Sequence, residues 1–561
     1  MGTLETEPEL RPLFSWMKSY FDDCSDSLKP CIFYLSIFSA EKNIRRQRLL
    51  WRWIAEGYCR DTSDGRTCED NWENFVSELV SLSIVQESTS NNKVFYQING
   101  FFHEYIISRP MEDNLVFALE GHCSLNSTRG GQHLTIRSSW DRRDRIVYES
   151  IDFSRLRSLT VFGEWESFFI CSSKNVNRMR LLRVLDLEDA QGVTNQDLEQ
   201  IAKLLTRLKF LSLRGCTEVT SLPSSMGGLR QLQTLDIRHT SIATFPPVIT
   251  KLQKLRYIRA GTTEVWDCED LLPAADGEDR ASSSSSATPA EGNNRPRTLV
   301  SSFLSKFIRR GDGPAAAGVT FPADIGNLSV LHTLGVVKVS HAQCGSKAIF
   351  QELKKLTQLR KLGVSGVNKG NIKELCCAIS GHVHLKSLSV ELDKDYGNMD
   401  DINQLVWIRI GQLGFRRKLK LDMTIAKPEE FPNPSHQDAD ADTIFFIHHL
   451  RIRPIQGGDL HIGRSWRDTQ VVEIQCSSVL LHIKFDDLGL FEWRVGLLKV
   501  HFSGGSQSSL HISGLSNLDN LNELWLKGHT DAHRQYMQQQ IDHMELRRPD
   551  QKRPVLKFFL S

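Results

Sequence analysis

The unit L-x-x-L-x-L constrains this chain more than any other feature. It occurs at Leu156-Leu159-Val161, Leu182-Leu185-Leu187, Leu208-Leu211-Leu213, Leu232-Leu235-Ile237 and Leu255-Ile258-Ala260. It resumes at Leu331-Leu334-Val336, Leu359-Leu362-Val364 and Leu385-Leu388-Val390. Successive third positions lie 26, 26, 24 and 23 residues apart in the first block, and 28 and 26 in the second. Alternate apolar residues of a short strand share one face. A second apolar stretch, of the form Leu222-Pro223 to Leu229 or Phe321-Pro322 to Leu328, returns the chain to the next strand. One coil cannot bury its own leucines, so the coils must stack.

The spacing is that of leucine-rich repeats. It predicts an α/β solenoid, a horseshoe with parallel strands on its concave face. Cys216 follows Leu213 where such repeats place Asn or Cys to satisfy backbone groups inside the turn. Residues 151–273 form the first repeat block, and 116–150 read as a linker or N-terminal flank. Residues 274–320, with Ser282 to Ser286 unbroken, are too poor in apolar side chains to order themselves and are expected to be a disordered insertion. The basic run Lys306 to Arg310 at its end reads as a solvated edge. Residues 321–561 form the second block, irregular after about 395. There Leu419 and Leu421 keep a repeat ending, Leu521-Leu524-Leu526 is a further clear unit, and Ile444 to Ile452, Val471 to Ile474 and Val479 to Phe485 are strand-like. Residues 530–548 are expected to form a polar helical cap.

Residues 1–115 have helical periodicity instead. Leu28 to Phe38, Arg45 to Tyr58 (apolar at Leu49, Leu50, Trp53 and Ile54) and Cys68 to Val85 read as helices. Val94 to Ile98 reads as a strand leading into a helix from Phe101 to Ile107. Three helices with a hairpin or wing outline a winged-helix domain. The expected fold is therefore an α domain followed by an α/β solenoid.

Composition narrows the function. Sixty-nine Lys and Arg against sixty-seven Asp and Glu leave a net charge of +2, a poor match to a dedicated polyanion binder. No apolar run reaches the ~18 residues of a membrane span, and Glu5, Glu7 and Glu9 do not suit a secretory signal. The twelve cysteines are scattered without a C-x-x-C pair, so they read as reduced thiols of a cytoplasmic protein. Met1-Gly2-Thr3-Leu4-Glu5-Thr6 fits a myristoylation template at Gly2, but acidic neighbours supply no second anchor, so only weak membrane association could follow. His448 and His449 are adjacent, hence on opposite faces of a strand, and meet no metal template. No G-x-S-x-G elbow occurs, and Ser, His and Asp are too plentiful for coexistence to mean a triad. The chain reads as a non-enzyme with no metal and no cofactor of its own.

Leu28 to Phe38, Arg48 to Tyr58, Arg66 to Asp70 continuing through Glu78-Leu79-Val80, and Glu104 to Ser108 resemble the winged helix of plant nucleotide-binding leucine-rich-repeat immune receptors of the coiled-coil type. With the repeats, the resemblance covers nearly the whole chain. It implies a cytosolic sensor of pathogen effectors, or of host proteins that effectors modify, closed by ADP and opened by exchange for ATP. In that family a Met-His-Asp motif before the last winged-helix segment approaches the nucleotide. Here the aligned residues are Ile98-Asn99-Gly100, which lack both the imidazole and the carboxylate. No G-x-x-x-x-G-K-[ST] exists, so phosphate has no cradle, and ADP or ATP is expected only if an upstream P-loop module is supplied. The chain is expected to be the carboxy-terminal part of a receptor, as a truncated product or a segment of a longer one; a non-functional relic also fits these losses.

The remaining surface is the concave face, where Asp186, Glu188, Phe210, Ser212, Arg214, Asp236, Arg238, Tyr257, Arg259 and Lys361 stand between the inward leucines. Mixed charge with two aromatics suits a protein partner: an effector, a guarded host protein or a full-length immune receptor. A free-standing scaffold binding another cytosolic protein is the alternative. A winged helix can also meet DNA, through Arg45, Arg46, Arg48 and Arg52, although the resemblance favours a domain-facing helix.

Overall fold

The computed structural model describes residues 9–40, 42–63, 66–90, 93–108, 115–121, 130–171, 179–261, 318–339, 345–368, 370–392, 418–425, 448–454, 457–476, 480–489, 492–502, 509–527, 531–547 and 554–559. The Gly2 template, the basic run at Lys306 and most of the 274–320 insertion lie outside them.

The N-terminal domain comprises α1 (Arg11–Asp22), α2 (Lys29–Leu35), β1 (Ile44–Arg45), α3 (Arg46–Glu56), α4 (Cys68–Ser81), β2 (Val85–Ser90), β3 (Lys93–Ile98) and α5 (Gly100–Ser108). The strands form an antiparallel sheet in the order β1-β3-β2. Sequence periodicity anticipated α2 to α5 and the hairpin; α1, which buries Met17 and Phe21, was not anticipated. Gly57 ends α3 in the left-handed region (φ 88), where a Cβ would be strained. Thr67 and Asp70 close a reciprocal capping box on α4.

Among the described residues, sixteen solenoid strands form one parallel sheet. Its register aligns the inward leucines: Leu159 with Leu185, Leu185 with Leu211, Leu211 with Leu235, and Leu235 with Ile258. Cys216 donates its thiol to the Leu187 carbonyl at 3.1 Å, filling the expected turn role. The return segments are short 3-10 turns such as Ser224–Gly228 and Ile325–Asn327, or helices such as Asn195–Leu204 and Ser346–Lys355.

Four sequence expectations change. The stretch 116–150 is already solenoid, since β4 (Val116–Leu119) and β5 (His133–Ile136) pair in parallel and β5 continues into the ladder. Residues 318–320, placed in the insertion, belong to the solenoid: Val319 is buried and Thr320 bridges to Thr244. The ladder runs on across the insertion, Ile258 pairing directly with Leu334. At Gly335 a Cβ would stand 2.3 Å from the Ala260 amide nitrogen, and the register shifts there. In consequence Val337, not Val336, enters the core.

The fourth change concerns the far end. Strands His449–Pro454, Val471–Cys476, Leu497–Phe502, Glu523–Lys527 and Val555–Phe559 continue the main sheet. Gly458–Ile462, Leu480–Phe485 and Ser509–Ser513 make a second parallel sheet from the return segments. The helix Asp531–Arg547 is therefore not a terminal cap but leads to one more strand of the ladder.

Candidate functional site

Helix α3 carries three arginines, on Arg46, Arg48 and Arg52, and Arg45 immediately precedes it; Glu56 is its one acid. A helix this cationic needs acids from elsewhere if its polar face is to be buried. Leu49 and Trp53 turn into the winged-helix core, yet Trp51, Arg52 and Glu56 are buried as well. The cover is the concave face of the solenoid.

Arg52 lies at the centre. Its Nη1 meets Asp186 Oδ2 at 2.5 Å, its Nη2 donates to Thr160 Oγ1 at 2.6 Å, and its Nε donates to the Tyr34 hydroxyl at 2.8 Å. Arg48 donates to Asp186 at 2.8 Å and to Glu188 at 3.3 Å, and Arg45 pairs with Glu188. Three guanidinium groups thus face two adjacent acids of one strand edge. Burial alone would raise the Glu188 carboxyl, but Arg45, Arg48 and Arg214 hold it below the ordinary range. Asp189, just outside this clamp, moves upward through burial and the charge on Glu188.

Farther along the ladder, Trp51 packs on Tyr257 with ring centroids 5.3 Å apart, and Arg259 lies over Trp51 while donating to Gln47 at 2.8 Å. Glu69, in the first turn of α4, accepts from the Tyr257 hydroxyl and from Arg360. Burial would raise this carboxyl, but hydrogen bonds from His332 and Tyr257 and the charge of Arg360 bring it down to about 2. Val184, Phe210 and Tyr257 join the apolar core of the winged helix, so the two domains share one cluster.

A second polar group is buried at the edge of this contact. His133 Nε2 lies 3.0 Å from the Tyr58 hydroxyl, its Nδ1 lies 2.9 Å from Ser158 Oγ, and Glu56 Oε1 is 3.7 Å from that same Nδ1. Neither carboxylate oxygen of Glu56 has a hydrogen-bond partner among the described residues. Burial pushes Glu56 up to about 7 against the pull of Arg183 and Arg52. Burial and the nearby Arg52 keep His133 well below its usual value, so under mildly acidic conditions the docked pair is neutral, with its proton on Glu56.

The predicted concave residues are therefore on the strand ladder, but they do not form one open surface. Asp186, Glu188, Phe210, Ser212, Arg214, Asp236, Arg238 and Tyr257 are buried, and Arg259 is half-buried. Asp186, Glu188, Phe210, Tyr257 and Arg259 face the winged helix, while Arg238 forks onto Asp236 at 2.7 and 2.9 Å. Lys361 alone of the ten is exposed. The arginine helix faces a domain, as the resemblance favours over DNA: Arg45, Arg48 and Arg52 pair with solenoid acids, and Arg46 pairs with Glu73. Asn99, at the degenerate motif, accepts from the Phe101 amide at 3.0 Å and so caps α5, with Ile98 buried and Gly100 exposed.

Sequence reading missed Glu69, Arg360, Thr160, His133 and Glu56. The legible signal was an unusually cationic helix with a single acid, Glu56, against three arginines, beside an acidic pair, Asp186 and Glu188, on the solenoid. It also missed a hydrogen-bonded chain on the outer sheet, Asp459 Oδ1 to His482 Nδ1 at 3.2 Å and His482 Nε2 to Ser513 Oγ at 3.0 Å. Asp459 is 61% exposed, and a carboxylate so solvated gives an imidazole little of the fixed orientation that acyl transfer needs. Among the described residues no cluster of three His, Cys, Asp or Glu could hold a metal ion, and no helix is long and apolar enough to cross a membrane.

The described residues thus form a winged helix seated on the strand ladder of a leucine-rich-repeat solenoid. The family model described as disease resistance protein winged helix domain matches residues 37–106, and that described as leucine-rich repeat region matches 155–272. Disease resistance protein Pik-2 of Oryza sativa subsp. japonica is 34% identical over 245 residues, covering 43% of this chain and 23% of its own length. Probable disease resistance RPP8-like protein 2 of Arabidopsis thaliana is 30% identical over 253 residues, covering 43% and 27%. A leucine-rich-repeat protein of Leptospira interrogans aligns in structure at 13% identity and a TM-score of 0.29, over 73% of this chain and 91% of that one. This chain carries the winged helix and leucine-rich repeats of the plant disease resistance proteins, and it spans about a quarter of the length of the curated relatives it matches.

Proposed function

We propose that this chain serves plant innate immunity as a protein-recognition unit, a binding protein and not an enzyme, in which the winged helix and the repeats act as one body. The observation that carries this reading is the insertion of Arg45, Arg48 and Arg52 onto Asp186 and Glu188. A contact that buries Arg52 and covers most of Arg45 and Arg48 ties any movement of the winged helix to the first half of the solenoid. Recognition of an effector, a guarded host protein or a full-length receptor then falls to the repeats from Lys361 onward. Nucleotide control belongs to a phosphate-binding module acting with this chain, because Asn99 and Gly100 offer neither charge nor acid to a nucleotide. We place the chain in the cytoplasm.

The test is infection. Plants in which the gene is disrupted should become susceptible to a pathogen strain that unmodified plants resist, and the unaltered coding sequence should restore resistance. Unchanged responses across a broad strain panel would remove the defence reading and leave a repeat scaffold of other purpose.

A further inference from the structure

The residues that lead into the solenoid strands form a column along one edge of the main sheet. Arg157, Arg183, Lys209, Gln233 and Arg256 directly precede the strands Ser158–Val161, Val184–Asp186, Phe210–Ser212, Thr234–Asp236 and Tyr257–Arg259. Their backbones hold them in register. Each amide from Arg183 to Arg256 donates to the carbonyl of the column residue one coil earlier, at 2.7–2.9 Å. At about 4.8 Å per coil the five positions span roughly 19 Å. An outer row, two residues earlier in the chain, adds Arg155, Arg207 and Lys254. The five segments 154–157, 180–183, 206–209, 230–233 and 253–256 together hold nine Lys or Arg, no acid and no aromatic residue.

The winged helix accounts for part of this charge. Arg183 donates to the Glu56 carbonyl at 3.0 Å, at the C-terminus of α3. Arg256 meets Asp61 at 3.5 Å, and two coils farther along the same column Arg360 pairs with Glu69. The column thus takes up carboxylates where the winged helix supplies them, and the rest of it is left open. Among the described residues Arg155, Arg157, Arg207, Lys209 and Arg230 have no ion-paired or hydrogen-bonded side-chain partner, and Lys254 donates to the Gln231 side-chain carbonyl at 2.7 Å and to no acid. Arg155, Arg207, Arg230 and Lys254 are exposed, while Arg157 and Lys209 are half-buried. Glu56 is the acid whose field reaches Arg157, Arg183 and Lys209, but its carboxyl is buried and takes no hydrogen bond from them. Burial and the like charges of Arg183, Arg60 and Lys254 pull Lys209 below the ordinary lysine value, against the pull of Glu56.

Three features narrow the anion that would relieve this crowding. The column already binds carboxylates, those of Asp61 and Glu69. Its cations are strung along a line, coil by coil, which suits an extended chain with several charges. The five segments offer no aromatic ring on which an unpaired base could stack. We propose that this edge binds an acidic polypeptide segment of a partner protein, whose carboxylates continue along Arg155, Arg157, Arg207, Lys209 and Lys254 the row that Asp61 and Glu69 begin. This contact goes beyond recognition by the distal repeats and lies toward the other end of the ladder.

The test uses the full chain and three probes titrated across a salt series: a fluorescent deca-glutamate peptide, inorganic polyphosphate and duplex DNA. Deca-glutamate should bind, and bind more weakly as salt rises. Its affinity should fall at least about tenfold on Arg155→Glu/Arg207→Glu/Lys254→Glu. The triple variant Arg11→Glu/Lys18→Glu/Lys347→Glu changes three exposed cations elsewhere and alters net charge equally; it should leave affinity within about twofold. Arg157→Gln/Lys209→Gln, which removes charge without reversing it, should weaken binding by a smaller factor and carries the test if the first triple variant loses its near-ultraviolet circular dichroism. Absence of binding at low salt, or equal losses in the two triple variants, would overturn the proposal. So would tighter binding of polyphosphate or DNA through the same residues, which would assign the edge to phosphate.

Discussion

Arg52 and Asp186, 134 residues apart in the chain, meet at 2.5 Å with both side chains fully withdrawn from solvent. Such a pair contributes less to stability than its geometry suggests, because both charges were desolvated to form it. Its importance appears on breaking it. Arg52→Met should destabilise the domain contact by about 3–5 kcal/mol by leaving Asp186 and Glu188 short of positive charge. The double variant Arg52→Met/Asp186→Leu should recover part of that loss. Hydrogen exchange of α3 amides measures both, and additive effects of the two single changes would refute direct coupling.

Glu56 and His133 predict a hidden pH dependence. In the docked state Glu56 titrates at about 7 and His133 well below its normal value, so the pair holds one proton, on Glu56, under mildly acidic conditions. Separated, the same two groups also hold one proton between the unperturbed values of roughly 4.3 and 6.5, on the histidine. Their linkages cancel, and stability should be nearly flat across that window. His133→Phe exposes the Glu56 contribution: the raised pKa favours the docked state at low pH, and stability should fall as pH rises toward about 7. Glu56→Gln exposes the opposite slope, since the depressed His133 must stay neutral and stability rises with pH. Thermal melting from pH 5 to 7.5 distinguishes them; parallel curves for the two variants would contradict the pairing.

Glu69 reaches across the insertion to Tyr257 on one side and Arg360 on the other. Its pKa is lowered to about 2, so its contribution is present above the unfolded value near 4.3 and is lost as pH falls toward 2. Glu69→Gln should therefore lower stability at pH 7 and flatten the acid limb of the unfolding curve between pH 4.5 and 2. An unaltered acid limb would show that the carboxylate is not linked to these partners.

Gly335 sets the approach of the two repeat blocks. Gly335→Ala would place a methyl group 2.3 Å from the Ala260 amide nitrogen and 2.8 Å from its carbonyl oxygen, backbone atoms that cannot swing aside as a flexible side chain would. A loss of about 3 kcal/mol is expected, at the upper end for overpacking, with exchange protection falling at Ile258 and Leu334. Gly496→Ala, just before the strand Leu497–Phe502 and facing ordinary contacts, should cost far less. Equal effects would show that the Ala260 approach is not what selects glycine.

The register of the solenoid was legible because it is local. Leu185, Leu211 and Leu235 announce their inward face through spacing alone, since a strand alternates and each coil must bury the same positions. The winged-helix elements were legible from apolar periodicity for the same reason. The bulge that exchanges Val336 for Val337 was not, because it arises from a backbone contact between Gly335 and Ala260 across the insertion. Nor was the length of the ladder, whose N-terminal strands at Val116 and His133 lack the leucine spacing.

The sequence by itself determined a cationic helix, an acidic pair on a repeat strand and a stack of apolar coils. Only the tertiary structure decided that Arg45, Arg48 and Arg52 pair with Asp186 and Glu188, turning a surface that reads as open into an internal contact. The physical reason is that hydrophobic alternation is written within a few residues, whereas the desolvation of a charge depends on which distant partner arrives to compensate it.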